Sequence, residues 1–458
     1  MATFPAITIF DKLWAPSLAL TLSLAIFSLG RIWIKQSHIS GPILASISNF
    51  PRLSWAYSSK AHIVHIKLHE QHGDLVRIGP NCISVGDPRE ISKIYGIAAN
   101  FKKSDFYKVL QPMSKGHVIQ GLFNTQDDNL HRAMKKPIAG IYSMSNLIEF
   151  EPYVDSTIAF FFKRLEEVQS KSRQSCDLGT WLQWFAFDVM GEITFSRRLG
   201  FLDEAKDVDG IMASIWKLFQ YSSWVGQMSW LDKVWTKNTF LSRMLPAKTS
   251  PVVAFAVARA RERTEKTGDE EKSAILQNSR DFMSRFIEAR AKDPSIPEWF
   301  LTAWATSNVL AGSDTTAIML RAIIYFLITN PGSLKKLMAE LAQAQHQNRL
   351  SDIVTWKESR SLDYLDACVK EAGRLHPAIG LTMERVFGIG HRTCIGKNIS
   401  YLEIFKLIPT MFARYDMELA DPTREWDLSN HWLVVQTGLE VKLRQRQAYQ
   451  NGTLSGHR

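Results

Sequence analysis

Glu384-Arg-Val-Phe-Gly-Ile-Gly-His-Arg-Thr-Cys-Ile-Gly-Lys-Asn398 packs three glycines, two arginines, a histidine and one cysteine into fifteen positions. Two phosphate-loop readings fail on spacing. A dinucleotide loop built on Gly388 and Gly390 needs glycine at 393, where Thr393 stands, and a Walker loop ending at Gly396-Lys397 needs glycine at 391, where His391 stands. What survives is a lone cysteine, Cys394, whose flanking glycines let the backbone approach a large flat ligand. An amphipathic helix is expected to follow at once, from Ile395 to about Tyr415.

At a helix N-terminus the dipole and nearby N–H donors favour a thiolate, whereas a free thiol of pKa about 8.5 stays mostly protonated. A thiolate so presented suits a nucleophile or a metal ligand. A nucleophile wants a histidine base held by a third group, and His391 has no evident orienter. On heme iron the thiolate pushes electron density toward O–O cleavage, with His391 and Arg392 available to the propionates.

Upstream, 33 residues from Glu298 to Asn330 carry no proline and lie between Pro297 and Pro331. As one helix they span roughly 50 Å, enough to cross a whole domain. A membrane span is the rival reading, but Asp314 sits near the middle beside Gly312 and Ser313, and a carboxylate at bilayer depth costs about 2.5–3.5 kcal/mol or more. A buried helix with a polar interruption is preferred.

The chain has 458 residues, 45% apolar and 22% charged, with glycine and proline scattered, the profile of an ordered globular protein. Its +10 formal charge and pI near 9.3 favour an acidic partner: anionic lipid, an acidic protein or nucleic acid. Without zinc-finger spacing or a long Lys/Arg block, nucleic acid is not expected. Cys82, Cys176, Cys368 and Cys394 form no Cys-x-x-Cys pair, so neither a disulfide framework nor a zinc ribbon is indicated.

Leu13 to Gly30 carry no charge and span roughly 27 Å as a helix. A cleaved signal peptide and a buried helix are the alternatives, but no small-x-small cleavage site follows. Arg31 and Lys35 flank the stretch, so the positive-inside rule favours an uncleaved anchor with the rest of the chain in the cytosol. The expected organisation is a lead (1–12), a membrane anchor (13–34), a linker (35–55), a catalytic domain (56–446) and a tail (447–458). The alternation in Asp74 to Asp87 about Gly79-Pro80-Asn81 predicts a hairpin, preceded by a helix near Lys60 to His72. On that helix His62, His65, His69 and His72 form a stripe read as a solvated face opposite Ile63, Val64 and Ile66, rather than a metal site. The body reads as mainly α with a minor β-sheet (α+β).

Phe387-Gly388-Ile-Gly390-His391-Arg392-Thr-Cys394-Ile-Gly396 closely resembles the heme-ligand signature of the cytochrome P-450 monooxygenases, Phe-x-x-Gly-x-Arg-x-Cys-x-Gly. Ala311-Gly312-Ser-Asp314-Thr315-Thr316 is similar to the family's oxygen-activation motif, and Glu371-x-x-Arg374 to its Glu-x-x-Arg motif. Arg77-Ile-Gly-Pro-Asn81, Lys103-Ser-Asp-Phe-Tyr107 and Tyr142-Ser143 resemble the fungal microsomal branch that includes pisatin demethylase. The resemblance covers about residue 40 to 446.

The resemblance implies heme b, with Cys394 as the axial iron ligand and Phe387, Gly388, Gly390, His391, Arg392 and Gly396 cradling the porphyrin. His131, Lys135 and Arg385 are implied at the propionates, although Lys135 and Lys136 equally suit a basic face for a reductase. Gly312 would let the central helix open, and Asp314 and Thr315 would relay protons to dioxygen; without the resemblance they read as a kink with a back-bonded hydroxyl. Glu371 and Arg374 would form a structural clamp, and otherwise read as a surface ion pair. The implied activity oxidises a small lipophilic substrate in fungal secondary metabolism, using NADPH through a separate cytochrome reductase. The implied location is the endoplasmic reticulum membrane. Phe101 to Phe123 and Phe219 to Trp235, with Phe219, Tyr221, Trp224 and Trp230, would line access to the heme, or simply pack as core or membrane-facing aromatics.

Between Arg374 and Cys394 the family places sheet strands, a Pro-Glu-Arg-Phe-like segment and a meander loop. Here only 19 residues, Leu375 to Thr393, intervene. The fold is therefore expected to be incomplete between the Glu-x-x-Arg helix and the cysteine loop, with the break at Val386/Phe387. That break leaves as an alternative a catalytically defective remnant or truncated gene model; a separate alternative is a heme-thiolate isomerase or dehydratase that needs no dioxygen, against which the retained Asp314-Thr315 pair argues.

Overall fold

The computed structural model describes residues 38–96, 102–114, 117–171, 175–238, 250–265, 281–380 and 393–446, with six positions in the N-terminal stretch. Two compact units result, Met1–Ile94 and Tyr95–Arg458. As expected, the described residues are mainly helical with small antiparallel sheets.

In the first unit, α1 (Ala61–His72) stops at Gly73, whose φ of 85° favours glycine. The hairpin of β1 (Leu75–Gly79) and β2 (Cys82–Val85) follows, paired Leu75↔Val85 with a register slip between Arg77 and Gly79. The histidine stripe is the reverse of the sequence expectation. Ile63 and Ile66 are exposed, while His65 packs edge-on against Trp55 at 5.9 Å and His69 reaches Ser84 Oγ and the Gly73 carbonyl, each at 2.8 Å. Imidazoles turn inward because β2 and the helix end offer them polar partners. Burial holds His65 neutral, its pKa lowered to about 4.

The second unit is organised around α6 (Trp299–Thr329), with α2 (Asp128–Lys135), α3 (Glu151–Lys171), α4 (Leu178–Phe195) and α5 (Ile211–Val225) before it. Pro297 and Pro331 bracket α6 because proline cannot continue a helix and biases its predecessor away from helical backbone. Among the described residues α6 is the one helix long and apolar enough to cross a membrane, and 67% of its most apolar window is buried inside the fold. It packs as a core helix: Trp304 lies 5.2 Å from Phe286 and 5.5 Å from Phe300. Its closest neighbour is α4, which Asp177 caps by accepting a bond from the Thr180 N–H at 3.1 Å.

α7 (Asp363–Leu375) and α8 (Lys397–Arg414) complete the helical body. The wholly buried Lys406 pins α8 to α3, donating to Glu151 at 2.6 Å and pairing with Asp155 at 2.8 Å. After α8 come β3 (Tyr415–Leu419), β4 (Asp427–His431), β5 (Leu433–Thr437) and β6 (Glu440–Gln445). β6 lies between β3 and Cys176–Asp177, while β4 and β5 form a hairpin with Trp432 at its tip.

Candidate heme site

Cys394 lies three residues ahead of α8, which starts at Lys397 rather than Ile395, with Gly396 as its N-cap. It takes part in no disulfide and is exposed. Side-chain bonds fix the first turn of α8 against α6. Asn398 Nδ2 donates to the Tyr142 carbonyl at 2.8 Å, Tyr142 Oη donates to Asn308 Oδ1 at 2.6 Å, and the Thr316 and Ser400 hydroxyls meet at 2.8 Å. Burial pushes the Tyr142 phenol up, so it stays a neutral donor. Between Asn308 and Thr316, α6 is uncovered on one side: Ala311 is exposed and Thr315 half-buried, in the middle of a helix otherwise interior.

Lys135, at the end of α2, completes this region. Burial lowers its pKa, and the nearby Cys394 raises it. His131, one turn earlier on α2, is half-buried.

Asp314 faces α4 rather than the uncovered side. Its Oδ1 accepts from Gln183 Nε2 at 2.5 Å; Gln183 Oε1 accepts from Arg321 at 2.8 Å, and Arg321 Nε donates to the Gly179 carbonyl at 2.8 Å. Burial pushes the Asp314 carboxyl up to about 6, against the opposing pull of Gln183 and Arg321. The same burial lowers Arg321 to about 10. Thr315 Oγ1 donates to the Ala311 carbonyl at 2.6 Å, a back-bonded hydroxyl.

Two other positions differ from expectation. α6 runs unbroken through Gly312, whose missing side chain faces α4: a Cβ there would meet Met190 Sδ at 2.6 Å. Gly312 thus permits close helix packing instead of opening the helix. Glu371 and Arg374 form no buried clamp; they are a bidentate surface pair at 2.7 and 2.8 Å, with side chains 54% and 68% exposed. Phe387, Gly388, Gly390, His391, Arg392 and Arg385 lie outside the described residues, as does the anchor 13–34 apart from six helical positions.

Gln183, Arg321, Asn308 and Asn398 were not anticipated. A signal existed for one pair: Asp314 and Arg321 are the sole charges in α6 and lie seven residues, two turns, apart.

An exposed thiol just ahead of a core helix, with a cation near it, is a donor set that suits heme. With the mainly helical fold it points to the heme-thiolate class. The sequence model of the Cytochrome P450 family matches residues 42–386 and 386–444. A Cytochrome P450 monooxygenase of Aspergillus terreus is 44% identical, with 87% of this chain and 94% of the relative aligned. Cytochrome P450 monooxygenase cicH of Emericella nidulans is 43% identical, over 91% of this chain and 95% of the relative. Cytochrome P450 monooxygenase pkfB of Emericella nidulans is 33% identical, over 94% and 96%.

The chain belongs to the cytochrome P450 family and is a P450 monooxygenase. Membership brings heme b as cofactor, and NADPH electrons delivered by a redox partner.

Proposed function

We propose that this monooxygenase inserts one oxygen atom into a small lipophilic substrate in fungal secondary metabolism, with Cys394 as the iron ligand. The observation carrying this reading is the exposed Cys394 just ahead of α8, with Lys135 near enough to act on it electrostatically. Bound heme supplies activation of dioxygen. Lys135 and His131 would meet the propionates, together with His391, Arg392 and Arg385 of the family motif; the electrostatic contact between Lys135 and Cys394 supports this for Lys135.

The protein's own contribution is proton placement. An Asp314 carboxyl with a pKa of about 6 exchanges a proton readily near neutral pH. In the structure it is held on Gln183, so delivery toward Thr315 requires its carboxylate to turn away from α4. The Thr315 hydroxyl, whose proton is committed to Ala311, presents its oxygen as an acceptor. Pyridine hemochrome assay of the purified chain and its C394A variant tests the ligand: about one heme per wild-type chain and little in the variant supports it, and equal heme in both overturns it.

A membrane-anchored form in the endoplasmic reticulum, with its catalytic unit in the cytosol, is part of the proposal. The uncharged stretch from Leu13 to Gly30 supports it, as do the exposed Leu20, Phe27 and Ile34 and the exposed Ile43 and Leu44 that follow. Release of the full chain from microsomes by alkaline carbonate would refute it.

A second reading, a chain lacking an internal segment, has its own support. The family match breaks at residue 386. The alignment with the Aspergillus terreus relative runs over 461 residues while using 87% of these 458, so about 60 aligned positions have no counterpart here. Glu403 of α8 is fully buried with neither carboxylate oxygen hydrogen-bonded, and burial raises its pKa well above the ordinary carboxylate range. An orphaned core carboxyl and an uncovered Glu371–Arg374 pair are what loss of a covering segment leaves behind. Sequencing the transcript across codons 386 and 387 decides it: an uninterrupted message encoding this same junction removes the missing-segment reading.

A further inference from the structure

Cys394 is only as well placed as the first turn of α8, and backbone bonding there is thin. The Ser400 N–H reaches the Gly396 carbonyl at 3.5 Å, the outer limit of a hydrogen bond, while the Ile399 N–H takes the same carbonyl at 3.0 Å as a tighter turn. Gly396, the N-cap, has no side chain with which to cap the helix. Residues 395–398 are half-buried, and full burial begins only at Ile399 and Ser400. Farther along, α8 is held by its core: Ile404, Leu407, Ile408 and Met411 are wholly buried, and Lys406 ties the middle of the helix to α3.

Side-chain ties hold the head instead, and they end on α6. The buried Thr316 and Ser400 hydroxyls share a bond of 2.8 Å. Tyr142 spans a second gap, its carbonyl accepting from Asn398 Nδ2 at 2.8 Å and its hydroxyl donating to Asn308 Oδ1 at 2.6 Å. The two tie points on α6 are separated by eight positions, roughly 12 Å of helix, and enclose Ala311, Asp314 and Thr315. Those on α8 fall four and six positions after Cys394. In a dry interior a hydroxyl pair is electrostatically stronger than in water, so the Thr316–Ser400 bond resists sliding of one helix along the other. We propose that this bond is a strut setting the register of Cys394 against the Asp314–Thr315 stretch of α6, which makes Thr316 and Ser400 positioning residues for the iron–thiolate bond. The proposal rests on the reading of Cys394 as the ligand and deepens it. A hydroxyl pair that merely satisfies burial behaves differently: exchanging both partners for apolar groups of the same shape is close to neutral, and would leave the thiolate as it was. A strut is not restored by that exchange, because a directed bond, rather than burial, sets the register.

The test compares S400A, T316V and the double variant T316V/S400A with the wild-type full chain by two measurements. In hydrogen exchange followed by mass spectrometry, the peptide 397–404 is expected to lose protection about tenfold in S400A and in the double variant, the worth of one buried neutral hydrogen bond, while 405–414 stays unchanged. In a urea gradient the double variant is expected to keep the wild-type midpoint for global unfolding, read by far-ultraviolet circular dichroism. Its red-shifted Soret band in the ferrous carbon-monoxide complex should nevertheless disappear at lower urea. T316S, which keeps the hydroxyl, should follow the wild type in both measurements. Unchanged protection of 397–404, or a Soret band that is lost together with global unfolding in the double variant, overturns the proposal. A wild type without the red-shifted band refutes the Cys394 assignment instead, and the exchange data, which use no heme absorbance, still decide whether the Thr316–Ser400 bond holds the helix head.

Discussion

Replacing Asp314 by asparagine should change how stability depends on pH by an amount the structure fixes. The folded carboxyl has a pKa of about 6 against an ordinary aspartate value of 3.8, because burial outweighs the Gln183 bond and the Arg321 charge. A raised acid binds its proton more tightly in the folded state. It therefore costs nothing below pH about 3.8, and stability falls by about 1.4 kcal/mol per pH unit as pH rises toward 6. The whole loss is about 3 kcal/mol. D314N keeps an oxygen acceptor for Gln183 but has no charge to desolvate. Its stability relative to wild type should consequently improve by about 3 kcal/mol between pH 3.5 and 7, with most of the change below pH 6. Urea-gradient proteolysis of both proteins across that range measures the difference, and contributions from all other groups cancel. A difference that stays flat with pH would show that Asp314 is not held in the dry Gln183–Arg321 network, and would remove the basis for assigning it a proton-holding role.

Other substitutions test the framework around the site. E403M should stabilise the chain at pH 7, and the gain over wild type should grow as pH rises, because Glu403 is buried without a partner and must stay neutral; thermal denaturation at pH 5 and pH 8 reads both effects. K406M should destabilise by about 3–5 kcal/mol, since Glu151 and Asp155 would lose the buried ammonium that pairs them; equilibrium unfolding gives the value. Y142F should cost about 1–3 kcal/mol by leaving the buried Asn308 oxygen unpaired, with little effect on the fold seen by circular dichroism.

Local signals in the sequence located the elements well. Pro297 and Pro331 gave α6 to within two residues at each end, and Gly79-Pro80-Asn81 gave the first hairpin, because backbone restrictions act on immediate neighbours. The Cys394 stretch likewise led to the head of α8. Side-chain direction was less legible. Gly312 was read as an opening toward the site, yet it faces Met190, since only the identity of the packing partner decides which side of a helix needs a glycine. The histidines of α1 looked solvated because their partners, Ser84 and Trp55, come from other elements. The Thr316–Ser400 bond was invisible for the same reason: its partners lie 84 residues apart along the chain. Glu371 and Arg374 matched a clamp by spacing, but a buried clamp needs a third charged partner, and among the described residues the two pair only with each other at the surface.

The ferrous carbon-monoxide difference spectrum of the purified chain tests the central claim most directly. Iron held by the Cys394 thiolate predicts a red-shifted Soret band in the wild type that is lost in C394H, even where C394H retains heme. An unshifted band in the wild type, or a red-shifted band that survives in C394H, would contradict the assignment of Cys394 as the ligand.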